Sequence, residues 1–150
     1  VQTLTRNSAD AIIIGKFAIH LAVIFSLVMC ALQNDIIRDY ALDDIMGLPP
    51  SMMNYIAPAL LLTPILAVSM TAAAYARGQL LASRKTIAIA VASTARLFAV
   101  CLIGAIALSL SNANGAVVGV LALIAAFITE AVILGGRILY AEHRTGGLFN

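Results

Sequence analysis

The chain has 150 residues, of which 62% are apolar and only 11% charged, with a net charge of +2 and no tryptophan. A soluble domain of this size carries about a quarter charged residues, so this chain lacks the polar surface to cover itself and is expected to be an integral membrane protein. It offers neither a basic run nor an aromatic platform for nucleic acid, which leaves the lipid bilayer as its first partner.

A spanning helix needs about 20 mainly apolar residues at about 1.5 Å rise each. Four stretches qualify, at about 13–33, 52–76, 87–110 and 116–140. The expected fold is all-α, one transmembrane domain of four helices over residues 1–150. Ser8 or Asp10 is placed to cap the first helix. Lys16 and His20 stand one helical turn apart on one face of it. Lys16 can snorkel to the interface, and His20 lies deeper. A packed histidine is the simplest reading of His20; proton exchange, a hydrogen bond to a neighbouring helix or haem ligation are the alternatives. Membrane haem usually needs a second axial ligand, and the other histidine, His143, belongs to the polar tail. Cys30 and Cys101 fall within apolar stretches and read as packed free thiols. The polar leader before Phe17 is long and shows no small-x-small cleavage pattern, which argues against a secretory signal. The chain starts at Val1 rather than Met, as a processed or cut chain would.

The link from Asn34 to Met46 carries Ile36, Ile37, Tyr40 and Ile45 among its aspartates, close to helical spacing. It reads as a short amphipathic helix at the outer interface, with an irregular acidic loop as the alternative. Gly47-Leu48-Pro49-Pro50-Ser51 stops it, and Ser51 can cap the second span. Pro58 and Pro64 interrupt that span, with Thr63, Ser69 and Thr71 nearby to satisfy freed backbone groups. Broken helices of this kind line substrate cavities in transporters, although proline is also commoner in membrane helices than in soluble ones. Ala72/Ala76 and Gly115/Gly119 form small-xxx-small pairs suited to close helix packing.

Spans three and four flank the turn Asn112-Ala113-Asn114-Gly115. In antiparallel helices folded about that turn, residues whose numbers sum to about 226 lie at equal depth, and Arg96 and Glu130 satisfy this relation. A charge at the bilayer centre costs about 2.5–3.5 kcal/mol on insertion scales, so two opposite charges at one level are expected to pair. The pair would lock two helices together, which is the simpler reading. It would otherwise serve as a proton-coupled switch or an anchor for an anionic head group.

The remaining charges set the orientation. Arg6, Lys16, Arg77, Arg84, Lys85, Arg137 and Arg144 fall on the side that receives both termini. Arg38 stands on the other, with Asp35, Asp39, Asp43 and Asp44. The asymmetry predicts cytoplasmic termini and makes a bacterial inner membrane the default location.

From Gly47 onward, about two thirds of the chain, the order of features resembles the last helices of the multidrug and lipid-linked oligosaccharide flippase superfamily that includes MATE-type transporters. A Gly47-Leu48-Pro49-Pro50 entry precedes the proline-bearing span. That span ends in Arg77-Gly78-Gln79-Leu80-Leu81, followed by Ser83-Arg84-Lys85-Thr86. An arginine follows within the next span, at Arg96. Then come the turn at Gly115 to Val118, Glu130 in the final span, and a basic end at Arg137. The resemblance implies export or flipping of amphipathic or lipid-linked molecules by alternating access, driven by an ion gradient. Such transporters have about a dozen helices in two halves, so a four-span chain is expected to be a fragment, a subunit of a larger assembly, or part of the fold put to structural use. A different reading is a non-catalytic accessory subunit of a respiratory or photosynthetic complex. Either reading expects other membrane subunits or self-association, because Lys16, His20, Arg96 and Glu130 are much polarity for a small bundle to hide. The sequence carries no phosphate loop, metal-ligand cluster, nucleophile with a base or paired carboxylates, so neither an enzyme nor a bound cofactor is expected.

Orientation can be checked by labelling with an impermeant thiol reagent from outside, using Arg84→Cys and Asn114→Cys in a background lacking Cys30 and Cys101. Position 114 should label and position 84 should not; the reverse pattern would overturn the topology.

Overall fold

A computed structural model of the chain describes residues 8–83, 85–110 and 113–144, with side chains described between residues 13 and 140 of those stretches. The regular structure described is helical throughout. It comprises α1 (Ser8–Ala31), α2 (Asp35–Asp39) running on as a wider π-helical segment (Tyr40–Ile45), α3 (Pro50–Leu60), α4 (Thr63–Ala82), α5 (Thr86–Leu108) and α6 (Gly115–Arg144). Among the described residues four segments are long and apolar enough to cross a membrane: Ile13–Ala31, Thr63–Ala82, Thr86–Leu108 and Gly115–Tyr140. The fold is all-α, and its four apolar helices mark a membrane protein. Ser8 and Asp10, offered above as caps, have side chains outside the described residues, and Asn112 of the turn also lies outside them.

Helix α6 is the centre of the bundle. Helices α4 and α5 both pack along it and touch each other only sparingly, α3 meets it near the α5–α6 turn, and α1 packs on α4. The pattern follows from side-chain size. On α6 the buried residues Ala122, Ala126, Glu130 and Leu134 recur every fourth position; on α4 they are Ser69, Ala73, Ala76 and Leu80. Small residues on facing helices let the backbones approach closely, which matters where lipid offers no hydrophobic drive for helix association. Ala76, Leu80, Ala92 and Leu134 form one cluster, with Ala88, Ile89, Ile133 and Ile138 against it. Ala92 and Leu134, and likewise Ala88 and Ile138, obey the same equal-depth relation as Arg96 and Glu130. Phe17, Ile19, Phe98, Leu102 and Val132 are exposed on the outside of the bundle, as lipid-facing residues are.

The second span departs from expectation. It is not continuous over 52–76; the chain breaks at Leu61–Leu62, and the apolar spanning helix is Thr63–Ala82. The cause is Pro64, which has no N–H to offer the Leu60 carbonyl four residues earlier and whose ring crowds it. The Thr63 hydroxyl donates to that carbonyl instead, at 2.7 Å. Pro64 thereby sits in the first turn of α4, where its missing donor does no harm. Pro58 lies within α3.

The link between α1 and α3 is helical rather than irregular. The Asn34 side chain caps α2 by accepting from the Ile36 N–H at 3.1 Å, and Arg38 pairs with Asp35 at 2.9 Å and Asp39 at 3.3 Å. Ile36, Tyr40 and Ile45 are exposed, as an interfacial element requires. Gly47 ends the segment with φ +65°, a left-handed conformation that favours glycine. There the Gly47 and Leu48 N–H groups close on the carbonyls of Asp43 and Leu42 at 2.8 and 2.9 Å. Ser51 is not the cap expected of it: Pro49 precedes α3, Pro50 opens it, and Ser51 lies inside the first turn.

A clamp holds α3 to α6. Asn114 caps α6 by accepting from the Ala116 and Val117 N–H groups at 2.9 and 3.3 Å, and its amide donates to the Tyr55 carbonyl at 2.8 Å. The Gly115 N–H donates to the Tyr55 hydroxyl at 2.7 Å. A Cβ at residue 115 would lie 2.9 Å from that hydroxyl, so glycine makes room for the contact. Tyr55→Phe removes one hydrogen bond and leaves a helix N-terminal donor open. It should lower stability by about 0.5–1.5 kcal/mol, read as a downward shift of the helical circular-dichroism melting midpoint in detergent.

Candidate functional site: a buried carboxylate between two arginines

Glu130 has no exposed surface. Its position, one turn after Ala126 and one turn before Leu134, puts it on the α6 face that both neighbouring helices cover. Arg96 stands one turn after buried Ala92 on α5. Its Nη1 donates to Glu130 Oε2 at 3.2 Å, and its guanidinium lies 5.4 Å from the centre of the Phe127 ring, within cation–π range. The two residues that the turn places at equal depth therefore touch.

A second arginine completes the site. Arg77 stands one turn after buried Ala73 on α4 and gives both Nε and Nη2 to Glu130 Oε1, the Nε contact at 2.9 Å. Each carboxylate oxygen thus faces a guanidinium from a different helix. By sequence, Arg77 belongs with the cytoplasmic cations near the end of span two. The structure places it inside α4, five residues before Ala82. The signal for this was present in the small-residue face it borders, but depth arithmetic about one turn links only α5 with α6, whereas α4 reaches α6 through tertiary packing. The arginine side chains keep 36% and 40% of their surface exposed. They flank Glu130 where α4 and α5 make little contact with each other.

The other singled-out residues lie elsewhere. Lys16 and His20 share an exposed face of α1, and His20 Nδ1 is 2.7 Å from the Lys16 carbonyl oxygen. The histidine therefore bonds its own helix rather than a neighbouring one, and it is not packed inside the chain. Pro58 is exposed and Pro64 half-buried at the helix break. Cys30 and Cys101 are free and exposed, not packed as expected. An apolar groove of about 560 Å³ runs between α1 and α4, lined on α4 by Val68, Thr71, Ala72 and Tyr75. At about 100° per residue this is the face of α4 turned away from Arg77. Tyr75 crosses one end of the groove, accepts from Gln79 Nε2 at 2.5 Å, and lies against the backbone of Gly15.

No family model, no curated protein and no solved structure matches the chain.

The second arginine changes what substitutions should do. Glu130→Leu strands two guanidiniums and should be the worst single change, with a cost approaching about 3–5 kcal/mol in the buried limit and reduced by the partial exposure of both arginines. Arg77→Leu should cost more than Arg96→Leu, because it removes two donors rather than one. Arg96→Leu with Glu130→Leu still strands Arg77, so full recovery of folded yield should require all three changes. Detergent-extracted yield by fluorescence size-exclusion measures this; full recovery by the Arg96/Glu130 double variant would show that Arg77 is not part of the network.

Proposed function

We propose that the chain is a transporter-derived membrane module that exports or flips amphipathic or lipid-like molecules as one part of a larger assembly. The observation that carries this reading is the Arg77–Glu130–Arg96 network within apolar helices. Ionisable residues at such depth are costly, face the bundle interior and mark solute or ion pathways. Two further features support it. The second span is a broken helix, α3 and α4 meeting at Leu61–Leu62, and discontinuous helices are where transporters build their sites. The order of motifs from Gly47 onward also resembles the flippase superfamily.

In this reading both termini face the cytoplasm of a bacterial inner membrane. With Arg77 assigned to the network, the cytoplasmic tally falls from seven to six against one, which keeps the asymmetry that orients the chain. The break at Leu61–Leu62 serves as the hinge. The clamp of Tyr55 to Asn114 and Gly115 ties α3 to α6, so α4 can tilt about the break while α3 stays with the central helix. Tilting α4 carries Arg77 relative to Glu130, which couples the charge network to the shape of the bundle.

A second reading, an accessory subunit of a larger membrane complex, is favoured by α1. No residue in its apolar window is buried, and among the described residues it packs chiefly on α4, leaving most of its surface for a neighbour. Native mass spectrometry in mild detergent, followed by reconstitution into proteoliposomes with a fluorescent lipid, separates the two. The transport reading expects ion-gradient-dependent movement of the lipid across the bilayer, abolished by Glu130→Gln. Stable co-purification with a respiratory or photosynthetic complex and no movement of lipid would favour the accessory role.

A further inference from the structure

The network holds two guanidiniums and one carboxylate, so it carries one positive charge more than it cancels. Among the described residues no second carboxylate pairs with either arginine. The donors are also in surplus. Arg77 gives Nε and Nη2 to Glu130, and Arg96 gives Nη1. Arg77 Nη1 and Arg96 Nε and Nη2 have no partner among the described residues. A guanidinium offers five N–H groups in a planar fork and stays charged, so these donors need an acceptor wherever water is scarce.

The geometry limits what that acceptor is. Helices α4 and α5 flank α6 with little contact between them, so the guanidiniums stay partly exposed in the gap between those helices rather than being sealed in. Glu130 repels a second anion except where both guanidiniums can reach it. The Phe127 ring covers one side of the Arg96 guanidinium, leaving the planar edges as the binding surface. Planar N–H edges match the oxygens of phosphate or carboxylate in bidentate geometry. Helices α4 and α5, which carry the arginines, are apolar along their spanning lengths, which suits an apolar tail.

We infer that the gap between Arg77 and Arg96, beside Glu130, binds the head group of a singly charged anionic amphiphile, a phosphate diester or a carboxylate carried on an apolar tail. This deepens the proposed function and rests on the network being the module's solute site. The charge balance closes at zero with one such ligand, and the free N–H groups gain their acceptors. Zwitterionic and cationic amphiphiles leave the surplus uncancelled or add to it.

The test uses the full chain in phosphatidylcholine nanodiscs, with spin-labelled phosphatidylglycerol and spin-labelled phosphatidylcholine as probes. The fraction of motionally restricted probe gives their relative association. Phosphatidylglycerol should be preferred, and Arg77→Gln or Arg96→Gln, each leaving one arginine paired with Glu130, should lower the preference by about tenfold, the worth of one charge-assisted hydrogen bond. Glu130→Gln should keep or raise it, opposite in sign to the arginine variants, so a general loss of folding cannot imitate the pattern. Displacement of the restricted probe by inorganic phosphate would mark a site also fed from water; its absence, with the arginine dependence intact, would mark a site fed from lipid. An unchanged preference in both arginine variants, with loss in Lys85→Gln or Arg137→Gln, would place the anion at the interface and overturn the inference. Because binding is read without transport, a chain that shows the preference but moves no lipid overturns the transport reading alone. One that moves phosphatidylcholine without any anion preference overturns this inference alone.

Discussion

A carboxylate with no exposed surface, set among alanine and leucine on the central helix of an apolar bundle, is costly to bury unless its oxygens are paired. Glu130 is that group, and it is answered from two sides. In a medium of low dielectric the attraction between such charges is strong, but so is the cost of taking them out of water, and the balance rests on good geometry and satisfied hydrogen bonds. Here each carboxylate oxygen faces a different arginine, and each arginine comes from a different helix. Both flanking helices are thereby tied to the central one through a single residue. Without Glu130, α4 and α5 would keep only their small-residue packing against α6.

That packing is what permits the network. Guanidinium side chains reach across only if the backbones lie close, and the alanines at 73, 76, 92 and 126 provide the closeness. The same residues contribute little apolar area of their own, so the bundle depends on van der Waals fit and on polar contacts rather than on hydrophobic burial, as is general for helices in lipid. At the turn end of the bundle, the Tyr55 clamp does the corresponding work for α3. Fixed points at the clamp and at the network lie either side of the break at Leu61–Leu62.

The sparse contact between α4 and α5 has a consequence for chemistry. Had those helices closed over α6, both guanidiniums would be sealed and the extra positive charge would be difficult to sustain. Left apart, they leave 36% of the Arg77 side chain and 40% of the Arg96 side chain exposed. The network therefore ties three helices together and leaves part of its positive charge exposed. The two readings of the Arg96–Glu130 pair are compatible once the second arginine is counted.

Much of this was legible in the linear chain. Apolar length and scarcity of charge define the membrane-spanning helices. The turn before Gly115 sets the register of α5 against α6, and with it the meeting of Arg96 with Glu130, because an antiparallel hairpin has only one equal-depth relation. The aspartate-rich link reads as helix from its isoleucine and tyrosine spacing. What the sequence left open was settled by contacts between residues far apart in the chain. Arg77 looks like an interfacial cation until α4 is packed on α6, and His20 and Cys30 look packed until α1 is seen to pack chiefly on α4 with both of them exposed. The second span looks continuous until Pro64 is placed against the Leu60 carbonyl and the Thr63 hydroxyl takes that carbonyl's bond. Local patterning reports which residues share a face and a depth. Which face meets which neighbour depends on how three helices share one, and that is decided only by tertiary packing.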